Sequence, residues 1–150
     1  MRRTIAIFVA LLLASAIFVL PPARDAGAWG FSQNGSFTLL NEYRAHHGRR
    51  VLRNSPSLRN KAQAWAEYLA RLDRLVHSNL PHGVPPVWTS LAENVGYGAN
   101  YRRIHTMWVR SDSHRVNMLN PRFDSVGVGM AWSGSNRLYA VHVFADFTMF

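Results

Sequence analysis

From Val126 to Trp132 the side chains alternate in size, with Val126, Val128, Met130 and Trp132 on one side of an extended chain and Gly127, Gly129 and Ala131 on the other. A strand this rich in glycine lets a helix pack closely on its bare face. After Ser133-Gly134-Ser135-Asn136, a second alternating run extends from Leu138 to Phe147. The two runs and the turn between them predict a β-hairpin with one bulky face. A fold for this chain must therefore accommodate a hairpin whose bare face allows close packing of a helix.

The helices come earlier. The first is expected from about Phe37 to His47, with Ser36 placed to cap it, Gly48 placed to end it, and Leu39, Leu40 and Tyr43 as its apolar face. Asn41 and Arg44 read as a polar pair that pins this helix to a neighbouring loop. After a short connection, Ser55-Pro56 is a capping serine followed by a proline at the first helical position. Leu58, Ala62, Trp65, Leu69 and Leu72 then recur at helical spacing and predict the main core helix. Trp65 is expected in the core, where its truncation to alanine would cost roughly 3–5 kcal/mol. Pro81, Gly83, Pro85 and Pro86 make His77 to Ser90 a loop. A further helix over about Asn100 to Arg110 is expected to bury Ile104, Met107 and Trp108 and to expose Arg102, Arg103 and Arg110. Composition and periodicity alone thus give an α+β class.

At the N-terminus, Arg2 and Arg3 precede an apolar run from Ile5 to Leu20, then Pro21-Pro22 and Ala26-Gly27-Ala28. This is the layout of a secretory signal peptide, and it places cleavage after Ala28 so that the mature chain begins at Trp29. The run is shorter than the roughly 20 residues that span hydrocarbon, which favours cleavage over a retained membrane anchor. Residues 1–28 are thus read as the signal peptide, 29–35 as a short extension and 36–150 as one domain. The domain is expected outside the cytoplasm, as a monomer, with membrane attachment only if the segment is retained.

The chain carries 17 basic residues, of which only Lys61 is lysine, and a formal charge of +9. A basic balance favours anionic partners such as lipid headgroups or cell-envelope polymers. No nucleic-acid-binding motif accompanies it, and secretion argues against nucleic acid. There is no cysteine, although the expected compartment permits disulfides.

Between helix and hairpin lies Trp108 to Gly129, WVRSDSHRVNMLNPRFDSVGVG. On a helical turn His114 and Asn117 share a face, while Met118 and Leu119 point elsewhere. This stretch resembles the pattern W-x-x-S-x-x-H-R-x-N-[IM]-L-N-P-x-F-x-x-V-G-V-G of bacterial members of the CAP superfamily, whose module is also called the SCP domain. LLNEYRAHHG from Leu39, SLRNKAQAWAEYLA from Ser57, His77-Ser78 and AENVGYG from Ala92 fit the same family in the same order. The resemblance implies a three-layer α-β-α sandwich with a central antiparallel sheet flanked by helices. It also implies a cleft that is more open than in relatives with a longer segment between the equivalents of His77 and Glu93. The disulfide-rich tail modules of eukaryotic relatives are absent, so stability must come from packing.

Carried over by resemblance, the cleft residues are His77, Glu93 and His114, with Ser111 and Asn117 at the rim. Ser111 stands where the animal and plant branch has its second glutamate, and Asp112 replaces that carboxylate only if the backbone turns it inward. Two converging imidazoles and a carboxylate are the minimum set for a catalytic zinc. No cofactor is implied as required; zinc or another divalent cation is allowed at His77 and His114, with binding that weakens below pH of roughly 6.5 as free imidazole takes a proton. His46, His47, His82, His105 and His142 match no motif and read as ordinary polar residues with satisfied partners. With one acidic position lost, the favoured reading is a secreted, non-catalytic domain whose cleft binds a small ligand, lipid or metal ion at the cell envelope. A metal-assisted hydrolase using His77, His114 and Glu93 and a protein-interaction module in which these residues are only structural stay open.

Overall fold

A computed structural model describes residues 26–147. Of the expected signal peptide, residues 1–25 lie outside the described residues, while Ala26-Gly27-Ala28 opens the first helix. The elements are α1 (Ala26–His46), β1 (Arg53–Asn54), α2 (Pro56–Leu72), β2 (Trp88–Gly98), α3 (Tyr101–Arg110), α4 (Asp112–Leu119), β3 (Ser125–Trp132) and β4 (Leu138–Phe147). The sheet order is β1-β3-β4-β2. β3 and β4 form the expected antiparallel hairpin and β2 lies antiparallel to β4. The two-residue β1 adds a parallel edge beside β3, so the sheet is mixed rather than purely antiparallel.

Helix α2 covers one face, where Leu58, Ala62, Ala66 and Leu69 meet Val95, Tyr139, Val141, Val143 and Ala145. The opposite face carries Leu40, Ile104, Trp108 and Met118 from α1, α3 and α4 against Val126, Val128, Met130, Leu138 and Phe144. This is the three-layer sandwich. Because both faces are covered, β4 is bulky on both sides, whereas β3 keeps the single bulky face that its sequence implies. The bare face of β3 lies against α2: a Cβ on Gly127 would sit 2.0 Å from the Leu58 carbonyl carbon, and one on Gly129 would sit 2.2 Å from that of Ala62.

Caps set the helix ends. Ser55 is extended and accepts from the Leu58 amide, with Pro56 at the first helical position, as its sequence implies. Gly48 takes a positive φ of 65° at the end of α1, a conformation that side chains disfavour. Asp73 ends α2 at φ 49°, and its carboxylate accepts from Ser135 Oγ at 2.9 Å and Tyr139 OH at 3.0 Å. That clasp fixes the hairpin turn to the end of α2.

Several expectations from local pattern are corrected by packing. Ser36 does not cap α1, which starts earlier; the serine is buried and its Oγ lies 2.9 Å from His142 Nε2. Trp65 is half-buried at the border of α2, stacked on Tyr68 at 4.7 Å and donating its indole N–H to the Val76 carbonyl at 3.0 Å. The cost of truncating a core tryptophan therefore belongs to Trp108, which is 1% exposed, and not to Trp65. Leu72 and Met107 are exposed, and Trp88, Thr89 and Ser90, expected in a loop, already belong to β2. Asn41 and Arg44 do pin α1 to its neighbours: Asn41 exchanges two bonds with the Leu52 backbone, and Arg44 holds the carbonyls of Arg50, Met118 and Asn120.

His142 is fully enclosed, edge-on to Trp108, with Nδ1 unpartnered. Desolvation, with a smaller contribution from His105, lowers its pKa to about 3. An unfolded imidazole titrates near 6.5, so between about pH 6.5 and 3 the unfolded chain binds a proton that the folded chain refuses. Stability is therefore complete above about pH 6.5 and falls on acidification, by up to roughly 1.4 kcal/mol per pH unit from this residue. Burial also lowers His105 and His114, which act in the same direction. Denaturant titrations at a series of pH values check this. His142→Leu is expected to flatten the dependence, and an unchanged slope would exclude His142 as its main source.

Candidate functional site

Strand β2 sends Glu93 and Asn94 to opposite faces of the sheet, as successive residues of a strand must go. On the α2 face the Glu93 carboxylate is buried, with Oε1 accepting from His77 Nδ1 at 2.8 Å and from the Ser78 amide at 2.9 Å. The His77 side chain itself is 66% exposed. Glu93 Oε2 and Ser78 Oγ are buried without a hydrogen-bond partner. Lys61 feels the charge of Glu93 while desolvation lowers its pKa, and its ammonium donates to the Asn79 and His82 carbonyls at 2.9 and 2.8 Å. The lysine and the glutamate together hold the loop after α2 against the sheet.

On the other face, Asn94 Nδ2 donates to the His114 carbonyl at 3.1 Å, and Asn94 Oδ1 accepts from Asn117 Nδ2 at 2.9 Å. The asparagine of the A-E-N motif thus clamps α4 to the sheet. Arg44 supports the far end of α4 through the Met118 and Asn120 carbonyls at 2.6 and 3.1 Å. These two clamps fix His114. Its ring lies nearly parallel to Trp108, with centroids 6.1 Å apart, and its Nδ1 is 2.8 Å from Ser111 Oγ. Desolvation lowers the His114 pKa; a bond to the Val95 backbone opposes this, and the charge of His77 reinforces it.

His77 and Glu93 are therefore one contact pair and Ser111 and His114 another, and His114 senses the charge of His77. Asn117 bonds to Asn94. Asp112 does not replace the missing carboxylate, because its side chain is 92% exposed and pairs with Arg115. Among the described residues no three His, Cys, Asp or Glu side chains are grouped to hold a metal ion. The Nδ1 contacts to Glu93 and Ser111 leave Nε2 as the ring nitrogen that a cation would have to use at either histidine.

Beside His114 opens a cleft of about 270 Å³ lined by Leu75, Val95, Gly96, Tyr97, Met107, Trp108, Ser111 and His114. Leu75, Tyr97 and Met107 are 37%, 40% and 43% exposed, an unusual concentration of large apolar side chains at one opening. Sequence reasoning did not single out this rim. The available signal was Met107 between Ile104 and Trp108, whose i, i+4 spacing already defines the buried face of α3. Gly96 leaves room for the floor: a Cβ there would sit 2.8 Å from Trp108 Nε1.

Among solved structures, the fold is similar to an extracellular SCP-domain protein from Bacillus anthracis, with TM-score 0.73 and 20% identity over 84% of this chain and 44% of that one. It is also similar to an outer surface protein from Borrelia burgdorferi, with TM-score 0.69 and 18% identity over 79% of this chain and 94% of that one. A cysteine-rich secretory protein from Staphylococcus aureus gives TM-score 0.68 and 22% identity over 82% of this chain and 40% of that one. In sequence, the chain is 27% identical over 106 residues to the uncharacterized protein YkwD of Bacillus subtilis (strain 168), covering 65% of this chain and 41% of YkwD. The chain thus spans well under two thirds of the length of that relative. Residues 37–146 match the cysteine-rich secretory protein family, CAP, and with the sandwich and the A-E-N and H-R-x-N segments in place the chain belongs to that family.

Proposed function

We propose that the protein is an extracellular CAP domain whose cleft binds a small, mainly apolar ligand with one polar end. The observation that carries this reading is the cleft itself: an apolar opening formed by Leu75, Tyr97 and Met107, with Ser111 and His114 as the hydrogen-bonding groups. Ligand sites are commonly apolar concavities with a few placed polar groups, and about 270 Å³ lies near the lower end of their size range. A short acyl chain fits this chemistry better than a bulky ligand. Supporting an extracellular setting are the signal-like N-terminus and the relatives named as extracellular or outer-surface proteins. The basic surface favours work near an anionic envelope.

Titration with octanoate, followed by tryptophan fluorescence, is expected to saturate in the wild type. Met107→Asp is expected to weaken binding at least about tenfold by placing a charge on the apolar rim, with the melting temperature nearly unchanged because this side chain is exposed. Equal affinity in the two proteins rejects the cleft as the binding site.

A further inference from the structure

We propose that Ser111 and His114 act as a nucleophile and base at this cleft and that the site hydrolyses esters of short-chain carboxylic acids, since Ser111 Oγ lies 2.8 Å from His114 Nδ1 and both residues line one cavity. The inference rests on the proposal that the cleft admits an acyl-type ligand. It goes beyond binding because the polar groups there are not merely polar. A serine within hydrogen-bond reach of an imidazole that a third group orients is the general arrangement of an activated nucleophile.

Here the orienting groups are identifiable. The Val95 backbone favours the protonated form of the His114 ring, against the desolvation that lowers its pKa. A neutral ring protonated at Nε2 leaves Nδ1 as an acceptor facing the serine hydroxyl. Val95 O also takes the indole N–H of Trp108 at 3.3 Å, and Trp108 lies parallel to the His114 ring. The imidazole therefore lies along an indole that is itself tied to the strand backbone, on the cleft wall. Desolvation favours the neutral ring, which is the form a base needs.

Ser111 is free for this role. It occupies the position before α4 but makes no capping bond, so its hydroxyl is turned to the imidazole instead of to the helix amides. Ser113 Oγ is 3.1 Å from Ser111 Oγ and extends the hydroxyl chain. The first-turn amides of α4, left uncapped by Ser111, are donors available to a developing oxyanion at the positive end of the helix dipole.

The step balances without a further reactant. Ser111 Oγ bonds to the ester carbonyl carbon as its proton passes to His114 Nδ1, and the C–O bond to the alcohol breaks as that proton is returned to the leaving alkoxide. Water, deprotonated by the same nitrogen, then attacks the acyl-serine, releases the carboxylic acid and restores the hydroxyl.

The test uses p-nitrophenyl butyrate as substrate and an alkyl fluorophosphonate as covalent probe, with the full chain as secreted. The wild type is expected to hydrolyse the ester and to carry one phosphonyl adduct on Ser111 by peptide mass spectrometry. Ser111→Ala should lose the adduct, and Ser111→Ala and His114→Gln should each lower hydrolysis at least about 100-fold, the ordinary scale of general-base assistance. Thermal melting of Ser111→Ala separates loss of chemistry from loss of the fold. An unlabelled wild type that still binds octanoate overturns the nucleophile assignment and leaves the binding proposal standing. A wild type that neither reacts nor binds overturns both. Labelling that persists in Ser111→Ala also overturns the assignment, and reduces the Ser111–His114 bond to a local contact at the start of a helix.

Discussion

Gly129→Ala is expected to destabilise the domain by about 3–4 kcal/mol, and Gly127→Ala by a similar amount, although each adds a single methyl group. At both positions the added carbon meets helix backbone, 2.2 Å from the Ala62 carbonyl carbon for Gly129 and 2.0 Å from that of Leu58 for Gly127. A crowded side chain can escape by changing rotamer, but a helix axis cannot. To restore ordinary contact, α2 must move off the sheet, which loosens Leu58, Ala62, Ala66 and Leu69 together. The expected effect lies at the upper end of overpacking costs because the strain is shared by a whole element and cannot be relieved locally. In a thermal melt it should appear as a drop of roughly 10–20 °C. Gly134→Ala, in the hairpin turn with nothing within 4 Å of the added carbon, is the internal control and should change stability by less than about 0.5 kcal/mol. Comparable losses in all three variants would show that close approach to α2 is not the reason for the strand glycines.

Arg44→Met is expected to cost about 2–4 kcal/mol and to loosen α4 in particular. The guanidinium is fully buried and meets carbonyls alone, with Nε donating to Arg50 O at 2.9 Å and Nη1 to Met118 O and Asn120 O. Burial, followed by the charges of Arg50 and Arg49, lowers its pKa to about 10, so it remains charged at neutral pH but at a desolvation cost. Methionine removes that cost and fills similar space, yet it strands three carbonyls that have lost a charged donor. The stranded acceptors decide the sign, because each hydrogen bond to a charged group is worth about 1.5–3 kcal/mol. Arg44→Lys keeps the charge but not the forked geometry and should recover no more than about half of the loss. Urea unfolding measures the total, and hydrogen exchange across α4 locates it. Uniform exchange changes through the domain, with α4 no more affected than α2, would reject Arg44 as the support of that helix.

Arg44 also shows where reading the sequence stops. A polar pair at Asn41 and Arg44 on an otherwise apolar helix was legible as a pin to some neighbour, because buried polar groups need partners. That the neighbour is Met118, 74 residues away, was not. For the site, resemblance led to His77, Glu93 and His114, and the chain does bring His77 to Glu93 and hold His114 with Asn94. It could not reveal that Glu93 and Asn94 take opposite faces of β2, because β2 first had to be assigned its place beside β4. Nor could it reveal that Ser111, read as a rim position where a glutamate is lost, turns its hydroxyl to the His114 imidazole.

What the sequence determined by itself is local and periodic. The Val/Gly alternation of β3, the Ser55-Pro56 start of α2 and the glycine end of α1 depend on backbone geometry and on neighbours within a few residues, so pattern suffices for them. The tertiary structure alone decided which faces are covered. Ser36 reads as a cap but finds His142, 106 residues on, because α1 begins earlier and its serine faces the sheet. Trp65 and Met107 read as core, yet they fall at the borders of their helices' contact surfaces, where the neighbouring layer ends. Periodicity states that residues share a side of an element; whether another element lies there, and how far it reaches, is fixed only when the layers pack.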